Sequence, residues 1–157
     1  VPVKPGEITS EAGWPANTPA EQLSTVIAGL KNAGVRVSLF VDPEPAPIEW
    51  AKKMGADRVE LYTEPYAAAF GTAGETSELA RFRAAAEAAQ RAGLGVNAGH
   101  DLNRDNLTDF LRVVPGVQEV SIGHALIADA LELGLDATVR DYLRCIARAG
   151  QPADAAR

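Results

Sequence analysis

The stretch "AQRAGLGVNAGH", residues 89–100, decides the fold. Its first half closes a helical pattern on Ala92-Gly93, a residue pair suited to stopping a helix. One residue later a strand-like run begins, and it ends on Gly99 and one of the chain's only two histidines. A helix that turns into a strand through so short a connection must lie antiparallel upon it. The same connection occurs in "LKNAGVRVSLF" (30–40) and "AKKMGADRVEL" (51–61). Three copies of one helix-to-strand turn are the signature of repeated βα units, and repetition without a change of strand type favours a parallel barrel over an open sheet.

Working outward, four complete strands are expected in "VRVSLFVD" (35–42), "DRVELYTE" (57–64), "LGVNAGH" (94–100) and "QEVSIGH" (118–124), and the opening "VPV" reads as the end of a fifth. The segment "TPAEQLSTVIAGLKNAG" (18–34) predicts a helix capped by Thr18, with Pro19 at its first position. Leu23, Val26, Ile27 and Leu30 form its apolar face. Further helices are expected in "PIEWAKKMGA" (47–56), with Ile48, Ala51 and Met54 inward, and in "ETSELARFRAAAEAAQRAG" (75–93), with Leu79, Phe82 and Ala86 inward. "NLTDFLRVV" (106–114) makes another, and two closing segments flank Gly134. Residues 1–150 read as one α/β barrel portion and "QPADAAR" (151–157) as a frayed tail.

Composition sets limits on the function. With 157 residues, 46% of them hydrophobic and 23% charged, the chain can bury one core. A net charge of −6 argues against nonspecific nucleic-acid binding, which needs a basic surface to displace phosphate counterions. There is neither a membrane-length apolar run nor a signal-peptide pattern, so a cytoplasmic protein without membrane contact is expected. Cys145, the single cysteine, sits in a helical apolar pattern and reads as a buried, inert thiol. The chain opens on "VPVKPGE" without a methionine, as the later part of a larger protein would.

The chemistry gathers at strand ends, where the loops of a parallel barrel build its active site. Ser38, Glu60, Asn97 and Ser121 occupy inward alternate positions, and His100 and His124 follow successive strands, each directly after a glycine. Glycine there allows close approach of a ligand or a positive φ. A carboxylate inside a barrel, such as Glu60, is costly unless paired or functional; a buried ion pair with a cation outside this sequence is the competing reading. Gly123-His124 before "ALIADAL" is a strand-glycine-helix arrangement that offers backbone N–H groups to a phosphate, although His124 also serves simply to open a helix. Two histidines and a glutamate without zinc-motif spacing do not indicate a metal.

Taken together, "GVRVSLFVDP", "ADRVELYTEPYA", "GLGVNAGHDL" and "VSIGHALIADAL", in this order and spacing, resemble the later strands of the pyridoxine 5'-phosphate synthase family of vitamin B6 biosynthesis. "VPVKPGEITSEAGW" is similar to that family's fourth strand and following loop. The resemblance implies a TIM-type (β/α)8 barrel, of which this chain supplies roughly the end of strand 4 to strand 8 and their helices. It implies condensation of 3-amino-2-oxopropyl phosphate with 1-deoxy-D-xylulose 5-phosphate, without a cofactor, in a homo-oligomer that is an octamer. His100 matches the family's proton donor and Glu60 a glutamate that stabilises the transition state. Asp101, Gly123 and His124 match its site for the aminoketone phosphate, and Thr9 its site for the deoxyxylulose phosphate. Imine formation, elimination and ring closure need repeated proton transfers near neutral pH, which suits an imidazole and a tuned carboxylate.

Departures accompany the match. Asp101 stands where other members often carry glycine, and Glu64-Pro65 where a glycine commonly follows the threonine. The family's first three strands have no counterpart here, with their Asn-x-Asp-His element, a second catalytic histidine, a catalytic glutamate and phosphate-binding arginines, so the chain alone is expected to be inactive. A noncatalytic phosphate-binding half-barrel that needs a partner chain is the runner-up. A Schiff-base aldolase or isomerase would require a strand-end lysine; of Lys4, Lys31, Lys52 and Lys53, only Lys4 follows a strand. Trp14 and Trp50 are expected to be exposed interface residues.

Overall fold

Four parallel strands joined by helices form the chain in a computed structural model that describes Pro2 and residues 11–150. The order is α1 (Ala20–Asn32), β1 (Ser38–Val41), α2 (Pro45–Lys53), β2 (Arg58–Tyr62), α3 (Glu64–Ala69), α4 (Glu75–Arg91), β3 (Gly95–Gly99), α5 (Leu107–Val113), β4 (Val117–Ser121), α6 (His124–Leu133) and α7 (Leu135–Ala149). Each strand pairs with the next in sequence, β1-β2-β3-β4. That order is the wall of a TIM-type barrel; a doubly wound sheet reverses direction at its switch point. The opening "VPV", Lys4, Thr9 and the tail 151–157 lie outside the described residues.

Alternation along the strands separates two faces. Leu39, Val41, Val59, Leu61, Val96 and Ala98 are buried against the helices. The helix layer fits closely because α4 presents Ala85, Ala86 and Ala89 beside Phe82, so the backbones approach. Phe82, Phe110 and Tyr66 pack with ring centroids 5.2–6.4 Å apart and are fully buried. Removing such a ring costs roughly 3–5 kcal/mol in a typical core.

The opposite, concave face carries Ser38 and Phe40 from β1, Arg58, Glu60 and Tyr62 from β2, and Gly95, Asn97 and Gly99 from β3, in register with one another. The β3–β4 ladder has an irregularity: Val96 faces Val117, yet Asn97 faces Glu119. One extra residue, Gln118, therefore shifts the phase of β4 and sets Glu119 and Ser121 on the concave face. The expected inward set of Ser38, Glu60, Asn97 and Ser121 is the one observed, and the last of these owes its place to that bulge.

Three local expectations are corrected. Pro19 is the N-cap of α1, and Thr18 donates from its hydroxyl to the Pro15 carbonyl at 2.8 Å instead of capping the helix. Val26 and Leu30 are 57% and 41% exposed, because β1 ends the described sheet and leaves α1 covered on the Ile27 side alone. Trp50 is buried and donates from Nε1 to the Thr18 carbonyl at 3.3 Å, with its ring 6.1 Å from that of half-buried Trp14. Trp50 thus belongs to the chain's own core instead of its surface, and Trp14 packs against that core, partly buried. Cys145 is buried, as expected, and free.

Candidate active site

At the C-terminal ends of β2, β3 and β4 lies a cleft of about 450 Å³, lined among others by Glu60, His100, Asp101, Ser121, Gly123 and His124. That volume suits a small-molecule ligand. Five of the six residues expected to form a site meet there; Thr9 lies outside the described residues.

Glu60 rises from the middle of β2 and leans along the strand direction over Gly99 of β3 toward Ser121 of β4. A Cβ on Gly99 would lie 2.1 Å from Glu60 Oε1 and 3.0 Å from Ser121 Cβ. Burial pushes the Glu60 carboxyl above its ordinary value, while the Ser121 hydroxyl and the nearby His100 pull it back. Arg58, two residues earlier on the same face, does not pair with it. Its guanidinium is held by Asn97 Oδ1 at 2.9 Å and Glu119 Oε1 at 3.2 Å, and Glu119 accepts from Asn97 Nδ2 at 3.0 Å. Among the described residues no lysine or arginine forms an ion pair with Glu60, so its carboxyl remains a candidate for chemistry.

His100 is positioned by four contacts. Its ring packs edge-on to Tyr62 at 5.0 Å and tilted against Phe40 at 5.7 Å. The buried Thr63 hydroxyl donates to its carbonyl, while the Thr63 N–H extends the ladder to the Gly99 carbonyl at 3.0 Å. His100 Nδ1 lies 3.5 Å from Asp101 Oδ2. The positive φ expected at the glycine falls instead on the next two residues, His100 at 95° and Asp101 at 56°, whereas Gly99 is outside the left-handed region. A non-glycine residue is held there only by its surroundings. Gly99 is thus required for the space Glu60 occupies, and the turn itself is made by the histidine.

The loop after His100 is tied down on both sides. Asn106, itself buried, donates from Nδ2 to the Asp101 carbonyl at 3.2 Å and accepts from the Asn103 N–H at 2.8 Å, while its own carbonyl accepts from the Tyr66 hydroxyl at 2.8 Å. Arg104 makes a two-pronged pair with Asp129 of α6 at 2.8 and 2.9 Å, and Tyr142 of α7 donates to the same carboxylate at 2.9 Å. The helix whose start faces the cleft is therefore anchored to the loop that carries His100.

His124 is the first residue of α6 and Gly123 its N-cap. The Ile127 N–H donates to the Gly123 carbonyl at 3.1 Å, so the amides of residues 124–126 precede that bond. Among the described residues no side chain caps this end, and its first turn holds no acidic residue. A Cβ on Gly123 would meet nothing within 4 Å. The arrangement can receive an anion, and His124 both opens the helix and faces the cleft.

The family model of the pyridoxal phosphate biosynthesis protein PdxJ matches residues 1–148. The chain belongs to the PdxJ family. It is 62% identical over 148 residues to the pyridoxine 5'-phosphate synthase of Albidiferax ferrireducens, covering 94% of this chain and 59% of that protein. The enzyme of the same name from Bacteroides thetaiotaomicron is 50% identical over 146 residues, 93% of this chain and 61% of its own length. That of Xanthomonas oryzae pv. oryzae is 53% identical over 143 residues, 91% of this chain and 56% of its own. The chain thus spans about three-fifths of the length of these PdxJ relatives.

Its departures from the PdxJ pattern have local explanations. Asp101 occupies a left-handed position that glycine takes freely and aspartate tolerates. Glu64 and Pro65 begin α3, where an acidic residue meets the positive helix end and proline lacks only an N–H that would be unpaired anyway. Sequence reasoning missed Thr63, Tyr62 and Phe40 as supports of His100. Their one visible signal is position, since all three lie at or near strand ends.

Proposed function

We propose that this chain supplies the later part of the active site of a pyridoxine 5'-phosphate synthase, which condenses 3-amino-2-oxopropyl phosphate with 1-deoxy-D-xylulose 5-phosphate and releases phosphate and water. The observation that carries the reading is the convergence of Glu60, His100 and the uncapped start of α6 on one cleft. The names of the relatives support it.

In this reading the amides at Gly123-His124 bind the phosphate of the aminoketone, with Asp101 contributing through its backbone, because a carboxylate would repel the anion. Thr9 takes part in binding the deoxyxylulose phosphate. The His100 imidazole gives a proton to the departing oxygen during dehydration. Glu60, whose carboxyl keeps its proton to higher pH than usual, stabilises positive charge when ionised and donates a hydrogen bond when not. Partial closure by the barrel wall limits the water that would hydrolyse an imine. No cofactor has a part in this scheme. The working form is a homo-oligomer in the cytoplasm, and the remaining catalytic groups come from strands that precede these in the barrel.

The second reading, a noncatalytic phosphate-binding half-barrel that needs a partner chain, is favoured by exposed apolar side chains on α6 and α7, where Ile127, Leu131, Leu135 and Leu143 are 56–86% exposed. Such a stripe calls for a cover. The test is to express the protein from its complete natural reading frame, supply both phosphorylated substrates and follow product by mass spectrometry. Pyridoxine 5'-phosphate and inorganic phosphate in equal amounts support the synthase. Binding of both substrates without product supports the half-barrel.

A further inference from the structure

We infer that Gly99 and Ser121 are positioning residues for Glu60: the glycine leaves open the path by which the carboxylate crosses β3, and the serine on β4 flanks the place where it comes to rest. The inference rests on the proposed role of Glu60 and extends it to two residues to which the resemblance assigned nothing. Three successive strands each contribute one part. Gly99 of β3 and Ser121 of β4 are register partners on the concave face, Glu60 of β2 stands one inward position earlier, opposite Asn97, and leans forward over Gly99, and the bulge at Gln118 brings Ser121 into phase.

The geometry makes the roles specific. An alanine methyl at 99 would collide with Glu60 Oε1, closer than real Cβ contacts come, and would sit tightly, at 3.1 Å, against its Cδ. The atoms it meets are the far end of a flexible side chain, so the carboxylate moves and the strand stays. Backbone geometry does not forbid the change, because Gly99 is outside the left-handed region. The remaining contact, Ser121 Cβ at 3.0 Å, asks a few tenths of an ångström of an exposed strand end. Gly99→Ala therefore displaces Glu60 from Ser121 without removing any functional atom.

The experiment is a double-mutant cycle on the protein expressed from its complete natural reading frame. Gly99→Ala is expected to lower kcat by about tenfold or more while KM for both substrates stays within about threefold. In a Glu60→Ala background the same change is expected to alter kcat by less than about threefold, since the group it displaces is gone. Ser121→Ala, which introduces no clash, gives a second readout. It removes the hydroxyl whose influence on the carboxyl opposes burial, so the limb of the kcat–pH profile that follows Glu60 moves to higher pH. Among the described residues the other ionisable groups that act on that carboxylate, His100 at the end of β3 and Glu119 on β4, are left in place. A serine with only a structural role would leave the profile where it was.

Full kcat in Gly99→Ala, where Glu60→Ala has lost turnover, overturns the inference. So do equal losses from Gly99→Ala in both backgrounds, or an unmoved profile in Ser121→Ala. Normal turnover in Glu60→Ala alone overturns the role of Glu60 itself, and the inference with it, and is recognised before any glycine variant is made.

Discussion

Replacing Thr63 with valine tests how His100 is held. The Thr63 side chain is wholly buried, and its hydroxyl donates to the carbonyl of a histidine at φ 95°. Valine matches threonine in shape, so packing against β3 is kept and the hydrogen bond alone is lost. The carbonyl is part-buried, and an acceptor taken from water and left without its donor costs about 1–3 kcal/mol. In a domain of this size each kcal/mol moves Tm by about 2–4 °C, so a fall of roughly 2–12 °C is expected. Thr63→Ser, which keeps the hydroxyl, should recover most of it. The functional effect is separable, because His100 loses its brace while the start of α6 is untouched: kcat should fall with substrate affinity nearly unchanged. Urea and thermal unfolding give the stability, and steady-state kinetics on the protein from its complete reading frame give the rest. Thr63→Val within about 0.5 kcal/mol of the parent, with unchanged kcat, would refute the reasoning.

Other outcomes follow from the same contacts. Asp57 accepts from Lys31 Nζ at 2.8 Å and from the Val37 N–H at 2.9 Å, and these hold its carboxyl below the ordinary value of 3.8. A depressed carboxyl stabilises the fold above its unfolded pKa and loses that contribution as pH falls through the folded one. The stability gap between parent and Asp57→Asn should therefore be present at neutral pH and close below about pH 4, as seen by urea unfolding across pH. Asp129→Asn weakens the Arg104 and Tyr142 contacts that tie the His100 loop to α6 and α7; hydrogen exchange at residues 101–106 should quicken, while exchange in β2 stays as it was. Tyr66→Phe leaves the carbonyl of buried Asn106 without its donor and should cost about 1–3 kcal/mol by urea unfolding.

The parts of this architecture written in local pattern were legible from sequence. Ala-Gly and Met-Gly turns mark helix ends because glycine takes the left-handed position there, as Gly34, Gly55 and Gly93 do with φ of 72–86°. Alternation placed Glu60 on the concave face because a strand has a period of two. What failed depended on neighbours distant in sequence. Nothing near Gly99 announces that a side chain 39 positions earlier, Glu60, will lie across it. The bulge at Gln118 arises in pairing with β3, and without it Ser121 would face the helices. Trp50 reads as exposed from sequence, whereas Trp14 and Thr18 cover it from more than 30 residues away. The Thr63 brace escaped notice for a similar reason: a threonine that ends a strand resembles a turn residue until its hydroxyl is seen to reach His100.

The central claim is that His100 transfers a proton in a ring-closing condensation. Its most direct test is turnover of His100→Ala, expressed from the complete natural reading frame, with both phosphorylated substrates and binding measured in parallel. The account predicts that pyridoxine 5'-phosphate formation is abolished while each substrate binds within about tenfold of the parent. Near-normal formation of the product would contradict it.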